Sequence, residues 1–131
     1  MIILNWIKGL QFEARDEQNH KIIVDAAKES GGFDEGITPL NLLLVSLAGC
    51  MAMDIVAILQ KKGGKINNFK TILKGDRILE HPKRYKKIVY EIKCEGDYKK
   101  EDLLRAFELS RDKYCSVLAT LKNPPEIEFL I

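Results

Sequence analysis

TPLNLLLVSLAGCMAMDIVAILQKKG, residues 38–63, is the stretch whose reading decides the fold. Thr38 is suited to cap a helix, and Pro39 then takes the first helical position, where its missing N–H costs nothing. From Leu40 to Leu59 nearly every residue is apolar or small. Lys61 and Lys62 fall in the last turn, where positive charge suits the helix dipole, and Gly63-Gly64 stop the helix. A helix apolar all round is either a membrane span or the buried centre of a core. About 20 residues would suffice to cross a bilayer. The rest of the chain, however, offers amphipathic strands and an amphipathic helix, each needing something apolar to cover. Only this helix can serve several such faces, so we read it as a core helix and expect no membrane partner.

Within that helix Ser46, Cys50 and Asp54 are spaced four apart and stack along one face. Cys50 is thus a thiol on the only polar row of an apolar helix. The bland alternative is a free cysteine packed as a small hydrophobe, with Asp54 serving a nearby backbone group.

The chain of 131 residues is one domain's worth, 46% hydrophobic and 31% charged, as in a globular protein. Its net charge of +2 is spread among interleaved acids and bases, with no basic arm to suggest a nucleic acid. Three cysteines, an odd number, do not read as a secreted disulfide framework. The N-terminus lacks the pattern of a secretory leader. The expectation is a cytoplasmic protein.

Residues 2–8, 11–15 and 20–26 read as three short strands of an antiparallel meander. Residues 29–36 form a Gly-rich acidic loop before the helix. Residues 67–79 and 85–95 read as strands about a turn at His81-Pro82. In the second of these Ile88, Tyr90, Ile92 and Cys94 share one face, which makes Cys94 core filler. A second helix opens at residues 98–101 and runs to Lys122, with a break near Tyr114-Cys115. Its stripe is Leu103, Phe107, Ser110, Tyr114, Val117 and Leu121. Residues 126–131 (EIEFLI) read as a last strand. The fold class is α+β with mostly antiparallel sheets, in a single domain, 1–131.

Cys115 sits one position off the apolar stripe, four residues after Arg111. A permanent positive charge there, and a new helix starting at Cys115, would both favour thiolate. The alternative is an idle surface thiol. Metal chemistry is poorly supported: there is no CxxC or HxxxH, and His20 and His81 lie in polar turns. Neither a GxSxG elbow nor a phosphate loop is present, so no metal or other cofactor is expected. Elimination leaves thiol chemistry, a small-molecule pocket or a structural role.

Three motifs carry a resemblance. Pro39-Leu40 and Leu42-Leu43-Leu44 followed by Ala48-Gly49-Cys50 and Asp54-Ile55-Val56 form the first. His81-Pro82 is the second, and Lys113-Tyr114-Cys115-Ser116-Val117 the third. In this order the chain resembles the OsmC/Ohr family, its general OsmC-like branch rather than Ohr proper, over essentially its whole length. The resemblance implies an intertwined α+β homodimer, with sheets from both chains wrapped around two long central helices. It also implies a thiol-dependent peroxidase acting on organic hydroperoxides. Cys50 matches the attacking position and Cys115 the resolving one, with a small or protein dithiol as reductant. Family peroxidases pair the reactive cysteine with an Arg and with a Glu just after the helix-opening Pro. Here those Glu slots read Leu40 and Asn41, of which Asn41 can still hydrogen-bond, and Arg15 is the counterpart of the Arg. Ser116 stands where a Pro often follows the resolving cysteine. Asp54 and Arg111 complete the supporting candidates. The loss of the Glu favours an alternative on the same fold, a redox-sensing or small-molecule-binding module with little turnover.

Overall fold

The computed structural model describes all residues, 1–131, and resolves into two compact units, residues 1–43 and 44–131. The first unit is a three-stranded antiparallel sheet in the order β1 (Ile3–Lys8), β2 (Gln11–Arg15), β3 (Lys21–Val24). Gly9 makes the β1–β2 turn with φ 49°, a left-handed conformation that glycine adopts without strain. The Trp6 indole N–H donates to the Gly9 carbonyl at 2.9 Å. At the β2–β3 turn the Asp16 carboxylate meets both the His20 N–H and the His20 ring, and His20 is exposed as expected.

The loop after β3 is organised by Asp25, only 2% exposed. Its carboxylate accepts from the N–H groups of Ala26 (2.8 Å), Phe33 (3.3 Å) and Glu35 (3.2 Å), and from Gln11 Nε2 (3.1 Å). Four donors on one buried carboxylate satisfy the polar groups of a Gly-rich segment that has no ladder of its own. The chain then enters α1 (Pro39–Lys61), and the Thr38 carbonyl accepts the helix's first bond, from Leu42 N–H.

The second unit holds most of α1, then β4 (Lys65–Arg77), β5 (Tyr85–Asp97), α2 (Lys100–Leu109), a π-helical turn (Ser110–Tyr114) and α3 (Ser116–Lys122). α1 ends as expected at Gly63, which has φ 88°. The N–H groups of Gly63 and Gly64 return to the carbonyls of Gln60 and Leu59, the Schellman pattern that closes a helix. β4 and β5 form a long antiparallel pair. β4 runs through Gly75, and close by the ladder shifts register between Asp76 and Arg77. A Cβ at Gly75 would stand 2.2 Å from the Tyr85 ring, so the missing side chain makes room for the aromatic across the ladder.

The core is a stripe of α1 at four-residue spacing, Leu47, Met51, Ile55 and Leu59. Phe69 and Leu73 of β4, Ile88, Tyr90 and Ile92 of β5, and residues of α2 and α3 pack around it. The expectation of a helix buried on every side is met only on that stripe within one chain. Val45 is 50% and Met53 73% exposed. α1 is long and apolar enough to cross a membrane by length and composition. The expected last strand is absent: residues 126–131 pair with nothing, and Phe129 and Leu130 are exposed. Alternating apolar residues suit a strand, but a strand exists only with a neighbour to share its hydrogen bonds.

Candidate functional site

α1 carries Cys50 at mid-length, half-buried beside the core stripe. Cys115 comes from the other end of the second unit and is buried. Cys50 packs against the buried cluster that contains Cys115, near enough to influence the Cys115 thiol. Cys94 also lies on the inner face of β5 as a free thiol, and the Tyr98 hydroxyl donates to its carbonyl at 2.6 Å.

The π-helical turn delivers Cys115. Regular helical spacing from Ser110 would turn Tyr114 inward. The Cys115 N–H instead bonds the Ser110 carbonyl, five residues back, at 2.9 Å. That extra residue in the turn shifts the helical phase by one position. Tyr114 swings out to 48% exposure and Cys115 takes the inward place. The turn is fixed at its start by the fully buried Ser110, whose hydroxyl donates to Asp54 Oδ2 at 2.9 Å. Asp54 is thus one helical turn from Cys50 and serves the segment that presents Cys115.

Cys115 is also the cap of α3, its sulfur accepting from Leu118 N–H at 3.3 Å. Burial is the dominant influence on its thiol and pushes its pKa up. The Leu118 N–H opposes this, and the neighbouring Cys50 adds to it. The expected cation beside it is turned away: Arg111 is exposed, forks onto Asp112 through two 2.6 Å bonds, and lies over the Phe107 ring at 5.4 Å.

Tyr90 flanks the thiol pair. Its hydroxyl donates to the Ala48 carbonyl at 3.0 Å, two residues before Cys50. Burial lifts its phenol above the ordinary range, and charge on Cys115 or Cys50 would lift it further. The Tyr90 ring also forms a wall of an apolar cavity of about 360 Å³ among Leu47, Met51, Ile88, Phe107 and Leu118.

A family profile described as OsmC-like protein matches residues 32–129. The chain belongs to the OsmC-like family. Among curated relatives, Protein YhfA of Escherichia coli K12 is 32% identical over 125 residues, which cover 95% of this chain and 90% of that one. A solved structure of a hypothetical protein from Aquifex aeolicus superposes with a TM-score of 0.82 at 32% identity, covering 95% of this chain and 87% of the other. A structure from Legionella pneumophila described as an organic hydroperoxide resistance protein OsmC superposes with a TM-score of 0.66. Its 12% identity, over 94% of this chain and 90% of that one, shows a shared fold alone.

The remaining candidates of this OsmC-like chain are Asn41 and Arg15. Asn41 lies in the first turns of α1, nine residues before Cys50. At about 100° per residue that is half a revolution, so the two occupy opposite faces of the helix. Arg15 belongs to the first unit, where its guanidinium pairs with Glu13. Glu13 escaped the sequence reading, although its place two residues before Arg15 on a strand puts both on one face. No cluster of His, Cys, Asp and Glu suited to a metal is present.

Proposed function

We propose that this OsmC-like protein is a thiol-dependent peroxidase that reduces organic hydroperoxides, with Cys50 attacking and Cys115 resolving. The observation that carries this reading is the nearness of the two thiols within one packed cluster, with Tyr90 common to their surroundings and to an apolar cavity. The Cys50 thiolate attacks the distal oxygen, the O–O bond breaks, and the departing alkoxide takes a proton to leave as alcohol. Sulfur gives up two electrons and becomes a sulfenic acid. Cys115 condenses with it, forming a disulfide and releasing water. A small or protein dithiol then returns both thiols by two exchanges and is itself oxidised.

Arg15, held by Glu13, is the cation proposed to steady the thiolate. Glu13 would then do the work of the carboxylate missing at Leu40 and Asn41. We read residues 1–131 as one cytoplasmic domain acting as a homodimer. The exposed Val45 and Met53 side of α1 and the unpaired residues 126–131 support a second copy as their cover.

The test is one equivalent of cumene hydroperoxide on reduced protein, followed by thiol blocking and peptide mapping. A Cys50–Cys115 disulfide with Cys94 free is expected, and none in the Cys50→Ser variant. Three free thiols after prolonged exposure would sink the reading. The raised pKa of Cys115 and the position of Asn41 away from Cys50 favour, as second reading, a redox-sensing or ligand-binding module with little turnover.

A further inference from the structure

The cavity beside Tyr90 has an unusual mouth. Its interior is aliphatic and aromatic, and the charged residues lining it are Lys86, Lys87, Arg111 and Lys122, with no carboxylate among them. Such a site rewards an apolar body inside and a negative group at the rim. The four cations are not equally available. Arg111 is engaged by Asp112, and Lys87 stands opposite Asp76 in the β4–β5 register. Lys86 is the extra residue of the bulge between the Asp76–Lys87 and Arg77–Tyr85 pairs. No ion pair of the structure engages Lys86; Lys122 is near enough to Asp112 to influence it but forms no ion pair with it. Lysine stems can line an apolar wall while their ammonium groups stay at the opening.

We infer that this cavity binds amphiphiles with an apolar body and an anionic head, a medium-chain monocarboxylate being the simplest, with Lys86 and Lys122 recognising the head. At about 30 Å³ for each water-sized group, the cavity holds about a dozen of them, the scale of octanoate. The inference adds a charge requirement to the proposed peroxidase reading and rests on it only for the fate of a hydroperoxide carried on such a ligand. Tyr90 is common to the cavity wall and to the surroundings of Cys50 and Cys115. Neither cysteine lines the cavity, so a hydroperoxide on the apolar body would neighbour the thiols through Tyr90 while its carboxylate stays at the rim.

The test is calorimetric titration of reduced protein at low ionic strength with octanoate, and with 1-octanol as the uncharged analogue. The K86Q/K122Q double variant is titrated beside wild type, with thermal melts showing that both are folded. Octanoate is expected to bind at least about tenfold more tightly than octanol to wild type, a difference of about 1.4 kcal/mol. The double variant should bind octanol unchanged and lose that preference. Equal affinity for the two ligands, saturable binding of neither, or a preference that survives in the double variant would each overturn the inference. Cumene hydroperoxide has no anionic head, so its reaction separates the two proposals. Disulfide formation without octanoate binding removes the cavity inference alone, and octanoate binding without disulfide formation removes the peroxidase reading alone.

Discussion

The Ser110 hydroxyl donates to the Asp54 carboxylate at 2.9 Å, and this bond joins α1, one turn beyond Cys50, to the turn that presents Cys115. The geometry of the thiol pair therefore depends on two residues that touch neither sulfur by sequence. Ser110→Ala leaves the Asp54 carboxylate without that donor, and an unsatisfied partner in a part-buried place costs about 1–3 kcal/mol. The expected result is a lower urea midpoint together with slower Cys50–Cys115 disulfide formation. Ser110→Thr keeps the hydroxyl and should recover most of the rate. Equal rates in wild type and Ser110→Ala would separate the turn from the chemistry.

Burial raises the Cys115 pKa, so the folded state holds that proton more tightly than the unfolded state does. The associated stability is present in full below the ordinary thiol pKa and is lost as pH climbs through the raised value. Wild type should lose stability more steeply above about pH 8.5 than Cys115→Ala. Urea unfolding at stepped alkaline pH reads the difference, with Tyr90→Phe as a control because burial raises that phenol as well. Parallel curves for wild type and Cys115→Ala would contradict the assignment.

Asp25 behaves in the opposite sense. Burial alone would raise its pKa, but the N–H groups of Ala26 and Glu35, the Gln11 amide and the Phe33 N–H outweigh it and hold the carboxyl below its usual range. The stability it contributes is present above the unfolded carboxyl pKa and disappears as pH falls through the depressed folded one. Asp25→Asn retains the shape and removes the charge. It should loosen residues 27–36, making them the first site of limited proteolysis at neutral pH, and should flatten the acid limb of the stability profile. An unchanged cleavage pattern would show that the loop stands without the carboxylate.

Glu13→Gln releases Arg15 from its ion pair without removing the guanidinium. On the proposed mechanism it slows oxidation of Cys50 several-fold. The melting temperature should move little, because partly exposed pairs contribute only about 0–1 kcal/mol. Stopped-flow measurement of the first oxidation step, at matched protein and hydroperoxide, decides whether Arg15 has any part in it.

The elements legible in the sequence were those whose signal is local. Pro39, the apolar run and Gly63-Gly64 define α1 almost to the residue, and β5 follows from its alternation. The break near Tyr114-Cys115 was legible, but its π-helical form was hidden because Leu103, Phe107, Ser110 and Tyr114 fit a regular stripe, and only a hydrogen bond reveals the added residue. A trace was present: Ser110 is polar on an otherwise apolar stripe, and Asp54 lies on the one polar row of an apolar helix, which is how buried partners announce themselves. Residues 126–131 have the composition of a strand, but composition does not supply a neighbour. The nearness of Cys50 and Cys115, 65 residues apart in the chain, came from the family resemblance, since no local pattern encodes a long-range contact.

The π-helical turn also has an evolutionary meaning. It works as a phase shifter between two ordinary helices, so the partnership of the sulfurs is encoded in a residue count as much as in residue identity. An ordinary helix over the same residues would put Tyr114 in the inward place, turn Cys115 outward by about 100° and separate the thiols with both cysteines intact. A relative with both cysteines at this spacing but an ordinary helix in place of the turn would keep the motif while losing the contact, so alignment of the two cysteines alone is an unsafe guide to which members of the family share the chemistry.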